Sequence, residues 1–173
     1  RAIPQMADTK EVIQKIKSQN SKTKLLAIIA NERGAQDAVV FDEISYLGFP
    51  FSVSETFQMR NTNSSIIQSM VRVEEIQDLC IKNKKELVVY ISMGFGNPYG
   101  DVYNEAIVFD WVNKLVDMDI KIISLADTVG LATKEQVYQV TKYLVDSLPE
   151  TEIGVHLHST PANWKEKVDA ALQ

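Results

Sequence analysis

The sequence has 173 residues, of which 45% are hydrophobic and 24% charged, ordinary values for one folded unit at about 150 residues per domain. They exclude a disordered tail, a collagen-like repeat and a disulfide-stapled miniprotein. Eighteen basic against 23 acidic residues leave a formal net charge of −5, and no basic run offsets it, so no nucleic-acid partner is expected.

The chain opens on Arg1 and runs directly into Ala2-Ile3-Pro4-Gln5-Met6. Asp8 with Glu11 reads as a helix cap and its reciprocal partner ahead of Val12, Ile13 and Ile16. A first strand is predicted over Leu25 to Ala30, followed by Asn31, and a second, mixed in character, over Glu43 to Gly48. After it come Phe51-Ser52-Val53-Ser54-Glu55 and Arg60-Asn61-Thr62-Asn63, where Ser52, Ser54 and Asn63 suit turns and caps. Ser65 and Gln68 have capping-box spacing, and Ile66, Ile67, Met70, Val73, Ile76, Leu79 and Cys80 follow a helical stripe. Cys80 is the one cysteine, so no intrachain disulfide is possible, its place is the core, and a reducing cytosol is the default compartment.

The third strand is predicted over Leu87 to Met93, ahead of Gly94-Phe95-Gly96-Asn97-Pro98-Tyr99-Gly100. Three glycines and a proline there suit a tight turn or close backbone approach to a ligand. Asn104 reads as a cap, the fourth strand covers Lys121 to Ala126 ahead of Asp127-Thr128-Val129-Gly130, and Thr133 with Gln136 is a second capping box. The fifth strand, Ile153 to His158, ends in His156-Leu157-His158; Thr160-Pro161 then offers a helix start with proline at the first helical position. Asn163 to Gln173 reads as an unfinished amphipathic segment, and both ends read as cut. No apolar run approaches the roughly 18 residues of a membrane span and the first residues lack a signal-peptide layout, so the expectation is a soluble, cytoplasmic protein with no membrane partner.

Apolar, β-branched runs alternating with helical periods are the signature of βαβ units around a parallel sheet. The last three strands recur about every 33 residues, and a barrel of eight such units needs roughly 250 residues. Two α/β architectures fit: an open doubly wound sheet complete at five strands, or a slice of a (β/α)8 TIM barrel. No glycine-rich phosphate loop supports the first, and the cut ends favour the slice.

In either architecture functional groups collect at the C-terminal ends of the strands. His156 and His158 are the only histidines. Two apart on a strand, they project from one face with Cβ atoms roughly 6 to 7 Å apart and can converge on one divalent ion. A hydrogen-bonded pair at a strand end is the alternative. Two imidazoles leave a catalytic ion short of ligands, so an oxygen donor from another strand is expected. Asp127 is that donor, a partner acting through hydrogen bonds, or a turn residue.

Pro4-Gln5-Met6-Ala7-Asp8, Arg60-Asn61-Thr62-Asn63, Tyr90 to Gly100, Ser124 to Gly130 and His156-Leu157-His158 stand in order along the whole chain, and together they resemble the bacterial hydroxymethylglutaryl-CoA lyases. The resemblance implies a TIM-barrel enzyme that cleaves 3-hydroxy-3-methylglutaryl-CoA into acetyl-CoA and acetoacetate, a reaction of leucine degradation, with this chain as strands three to seven. It implies Mg²⁺ or Mn²⁺ held by the positions matching His156 and His158, an acyl-CoA thioester as partner, and a homodimer of the complete protein. By the same resemblance Tyr90, Ser124, Asp127 and His156 are catalytic, and Asn61 and Thr128 bind substrate. Two further metal ligands, a catalytic arginine, an acidic residue and a loop cysteine of the family fall outside this sequence, and Cys80 does not match the last. One departure is plain: many relatives follow the histidine pair with aspartate and tyrosine, whereas Ser159-Thr160-Pro161 stands here.

Cleaving the carbon–carbon bond requires removing the proton of a tertiary alcohol and stabilising an enolate, both of which a divalent cation chelating the substrate oxygens assists. His156 is the proton shuttle by analogy, with Asp127 acting through hydrogen bonds as the other assignment. Two alternatives remain: a condensing enzyme of the same superfamily that joins acetyl-CoA to a 2-oxo acid, as homocitrate and isopropylmalate synthases do, and a non-catalytic fragment.

Overall fold

Strand and helix alternate as the periodicity predicts. The computed structural model describes residues 8–17 and 22–173, so Pro4-Gln5-Met6-Ala7 lies outside the described residues. In chain order the elements are α1 (Thr9–Lys17), β1 (Leu25–Ile28), α2 (Glu32–Val39), β2 (Ile44–Ser52), α3 (Glu55–Thr62), α4 (Ile66–Lys82), β3 (Glu86–Ser92), α5 (Glu105–Asp117), β4 (Ile122–Asp127), α6 (Lys134–Ser147), β5 (Glu152–Leu157) and α7 (Trp164–Ala171).

The five strands form one sheet, parallel throughout, in the order β1-β2-β3-β4-β5. A doubly wound sheet reverses its strand order at a switch point. This sheet does not, so the doubly wound alternative is set aside and a singly wound arc, as in a barrel, remains.

Alternation along each strand sorts residues to two faces. Leu47, Phe49 and Phe51 of β2, Val89 and Ile91 of β3 and Ile123 and Leu125 of β4 all point to the helical layer and are fully buried. They meet Val73, Ile76 and Cys80 of α4, Val108, Val112 and Leu115 of α5, and Val137, Val140 and Leu144 of α6, each set at the three- and four-residue spacing of one helix face. Phe51 and Trp111 lie with ring centroids 5.5 Å apart. Ile67, predicted on the α4 stripe, is 67% exposed. On the other face Leu26 and Ile28 of β1 are 40% and 62% exposed.

The capping signals act as predicted at three helices. Ser65 and Thr133 form complete capping boxes with Gln68 and Gln136, and the Asn104 side chain accepts from the Ile107 N–H. Asn31 and Ser54 cap α2 and α3 by accepting from the Gly34 and Phe57 N–H groups, while Asn63 closes α3 in the left-handed region at φ 50°.

Strand ends shift from the sequence prediction by a residue or two, β1 stopping at Ile28 rather than Ala30, and three further differences bear on the site. β2 continues past Gly48 to Ser52, through Pro50. Gly48 turns its carbonyl to β1, accepting from Ile29 N–H, so Pro50, two residues on, turns its nitrogen to the same side, where β1 has already ended. The missing N–H therefore costs no ladder bond. β5 ends at Leu157, one residue short of His158. Thr160-Pro161 opens a turn, and α7 starts only at Trp164, because the Asn163 carboxamide folds back to accept from the Thr160 N–H and hydroxyl.

Candidate active site

The face of the sheet turned away from the helices carries the polar chemistry. Register places Pro50, Tyr90, Ser124 and Gly154 in one row, and Ser52, Ser92, Ala126 and His156 in the next row toward the C-terminal ends. Here a cavity of about 390 Å³ opens, floored by Leu26, Ile28 and Pro50 and walled by Tyr90, Ser92, Ala126 and Thr128, with His156 and His158 at its rim. Space for the floor is made by Gly48: a Cβ there would come within 2.6 Å of the Ile28 Cδ1 and 3.0 Å of the Tyr90 ring.

Both imidazoles are exposed, and their Nε2 atoms stand 3.3 Å apart. That is a hydrogen-bond distance for two neutral rings of opposite tautomer. It is equally the separation a shared cation imposes, since two nitrogens each roughly 2.1 Å from one ion at roughly 90–110° lie about 3.0–3.4 Å apart. The donor set therefore fits a divalent ion as two of its ligands. Among the described residues no group of three or more histidine, cysteine, aspartate and glutamate side chains converges, so the two imidazoles stand there without a third such ligand. The His156 ring is buttressed by Tyr90, whose ring stands edge-on at 5.9 Å and 89°.

Of the sequence-predicted residues, Tyr90, Ser124, Thr128, His156 and His158 share this face. Thr128 also braces the backbone: its hydroxyl accepts from the Met93 N–H at 2.8 Å, holding the left-handed turn (φ 58°) that starts the glycine-rich segment. Asp127 and Asn61 are not brought to it. Asp127 follows Ile123 and Leu125 onto the helical face, 2% exposed, where one carboxylate oxygen receives the Ala132 N–H and the other the Lys167 ammonium at 2.7 Å. Of the three roles open to Asp127 from the sequence, direct donation to the ion beside the imidazoles does not match this placement. Asn61 lies on the exposed side of α3, away from the cavity lining.

The Gly94 to Gly100 segment is held by its own side chains. The Asn97 carboxamide accepts from the Tyr99 and Asp101 N–H groups and donates to the Asp101 carbonyl. Tyr103 donates to the Gly94 carbonyl, and burial, with the charge of Glu105, pushes its phenol up to about 12. Asp101 reaches across to α3, accepting from the Ser54 and Thr56 hydroxyls and the Thr56 N–H. Those bonds, with Arg60 nearby, hold its carboxyl below the usual range. Cys80 is fully buried in the core and burial pushes its thiol up to about 11, the inert environment its helical stripe implies.

Two participants escaped sequence reasoning. Ser92 lines the cavity, and its parity with Tyr90 was the available signal. Lys167 is 2% exposed on α7, on the same buried face as Ala170 three residues on; that spacing was its only signal.

The HMGL-like family model matches residues 2–162. The cytoplasmic 3-hydroxy-3-methylglutaryl-CoA lyase of Rattus norvegicus is 30% identical over 175 residues, an alignment covering 100% of this chain and 50% of the relative. The hydroxymethylglutaryl-CoA lyase of Bacillus subtilis is 29% identical, covering 99% of this chain and 56% of the relative. Among solved structures, an HMG-CoA lyase of Bacillus subtilis superposes with a TM-score of 0.88 at 28% identity, over 99% of this chain and 57% of that one. Another, of Acinetobacter baumannii in complex with coenzyme A and 3-methylmalate, gives 0.87 at 28%, over 99% and 55%. The chain thus spans about half the length of the relatives it matches, and its five-stranded arc corresponds to part of their TIM barrel. On the extent of the family match, together with these full-span likenesses, the chain belongs to the HMGL-like family.

Proposed function

We propose that this chain is the histidine-bearing part of a TIM-barrel lyase that cleaves 3-hydroxy-3-methylglutaryl-CoA to acetyl-CoA and acetoacetate, with His156 and His158 as two ligands of Mg²⁺ or Mn²⁺. The observation that carries the reading is the pair of Nε2 atoms 3.3 Å apart at the mouth of the inner cavity. When bound there, a divalent cation supplies Lewis acidity toward a substrate hydroxyl and a template for the bond to be broken. Everything else falls to side chains. Tyr90, one row from His156, and Ser92, on the row of His156, offer hydroxyls on the cavity wall, where a substrate oxygen can be hydrogen-bonded and a proton held. Ser124, paired in register with Tyr90 and Gly154, adds a hydroxyl to the row of Tyr90. Leu26, Ile28 and Pro50 give the cavity an apolar floor. Thr128 fixes the start of the glycine-rich segment, and Asp127 acts through Lys167 rather than on substrate.

An imidazole nitrogen that gives its lone pair to a cation cannot accept a proton at that atom, so the pair binds and orients. The HMG-CoA lyases that align over the whole chain support this substrate class. The test is an assay of the full-length protein with Mg²⁺ or Mn²⁺, comparing acetoacetate release from 3-hydroxy-3-methylglutaryl-CoA with CoA release from acetyl-CoA plus a 2-oxo acid. Cleavage in the first assay is expected. Turnover in the second alone would make the protein a condensing enzyme, and turnover in neither a non-catalytic member.

A further inference from the structure

The two histidines are not held alike. His156 sits inside the β4–β5 ladder, opposite Ala126, so hydrogen bonds of the sheet fix its backbone. The last registered pair is Asp127 with Leu157, which leaves His158 past the end of the ladder. What holds it instead is a side chain from α7. The Lys167 ammonium, buried to 2% exposure, has three acceptors for its three protons: the Asp127 carboxylate at 2.7 Å, the His158 carbonyl at 3.2 Å and the Gly130 carbonyl at 3.4 Å. Gly130, at φ +75°, brings the β4–α6 loop against the same backbone, since a Cβ there would lie 3.6 Å from the His158 oxygen. Asp127 anchors the cluster from the other side through the Ala132 N–H.

Stability alone does not account for this arrangement. A buried ion pair contributes little beyond what two apolar side chains of similar volume would. An apolar side chain, however, donates nothing to the His158 carbonyl. We propose that Lys167 is a positioning residue for the site: its ammonium holds the His158 backbone so that the His158 imidazole keeps the spacing from His156 that one divalent cation requires. This rests on reading the imidazoles as cation ligands. Asp127, on the far side of the sheet from the cavity, then influences the site by orienting Lys167.

The test uses ¹⁵N spectra of the two imidazoles in the full-length protein, free of metal and with substoichiometric Mn²⁺, together with Mn²⁺ affinity from electron paramagnetic resonance. Two variants are compared with the parent: Lys167→Met, and Asp127→Leu/Lys167→Met, which replaces the ion pair by an apolar pair and preserves folding if the single variant does not. In both, the metal-free His158 resonances should become exchange-averaged while those of His156 stay in place. The Mn²⁺ dissociation constant should rise about 10–100-fold, the usual effect of removing support behind a metal ligand. Parent-like His158 resonances and a dissociation constant within about twofold of the parent, in a folded double variant, overturn the proposal while leaving the cation reading intact. Mn²⁺ that broadens neither ring in the parent overturns the cation reading, and the purpose assigned to Lys167 with it.

Discussion

Tyr90 has two separable parts, and removing them one at a time distinguishes a chemical role from a positioning one. Its ring stands edge-on to His156 at 5.9 Å and 89°, within the range at which aromatic pairs contribute about 0.5–1.5 kcal/mol beyond burial. If that contact holds the imidazole in its ligating orientation, losing the ring weakens divalent-ion binding by about 2–12-fold, at 1.4 kcal/mol per factor of ten. Tyr90→Phe keeps the ring and loses only the hydroxyl on the cavity wall. It should leave Mn²⁺ affinity unchanged and lower kcat. Tyr90→Leu should lower both. Titration calorimetry with Mn²⁺, paired with steady-state cleavage of 3-hydroxy-3-methylglutaryl-CoA by the full-length protein, reads the two effects separately. Equal loss of Mn²⁺ affinity in the two variants, or none in Tyr90→Leu, would refute the ring's part in placing His156.

Three further outcomes follow from the burial and hydrogen bonding of particular groups. Asp127→Ala strands the Lys167 ammonium at 2% exposure and should cost about 3–5 kcal/mol, whereas Asp127→Leu/Lys167→Met should stay within about 1 kcal/mol of the parent. Urea midpoints at constant slope measure this, and additive losses in the double variant would contradict it. Asp101, whose folded pKa lies below its unfolded value, stabilises the α3 start above the ordinary carboxyl range and loses that contribution as pH falls through the folded value. The difference in Tm between the parent and Asp101→Asn should therefore shrink in acid, and a difference independent of pH would speak against the clamp. Cys80, buried and pushed up to about 11, should resist a thiol reagent at pH 8 in the native protein and react fully in denaturant; labelling on mixing would contradict its place in the core.

Periodicity and capping chemistry were legible because they are local. Ser65 with Gln68 and Thr133 with Gln136 mark their helices by bonds made within four residues, and the five strand centres follow from apolar runs, buried on the helical side in β2, β3 and β4 and partly buried in β1 and β5. α3 was not legible as a helix, because its only buried side chain is polar. Gln58 supplies the contacts an apolar stripe would, accepting from the Ser52 N–H and donating to Thr62 and Ser69. The continuation of β2 through Pro50 depends on where the neighbouring strand stops, which only the folded sheet reveals. In the site, the shared face of Tyr90, Ser124, Thr128 and the histidines was available from alternation. The same parity applied to Ile123, Leu125 and Asp127 sends that carboxylate to the helices, and a motif match does not carry this direction. Lys167 was hidden for a physical reason: a lysine in an amphipathic segment is expected in water, and its burial depends on an aspartate 40 residues away.

The proposed activity requires two imidazoles sharing one divalent cation. Calorimetric titration of Mg²⁺ and Mn²⁺ into the full-length protein and into its His156→Ala/His158→Ala variant tests that directly. One site in the parent, and loss of both that site and cleavage in the variant, is the predicted result. Unchanged ion binding and turnover after both rings are removed would contradict it.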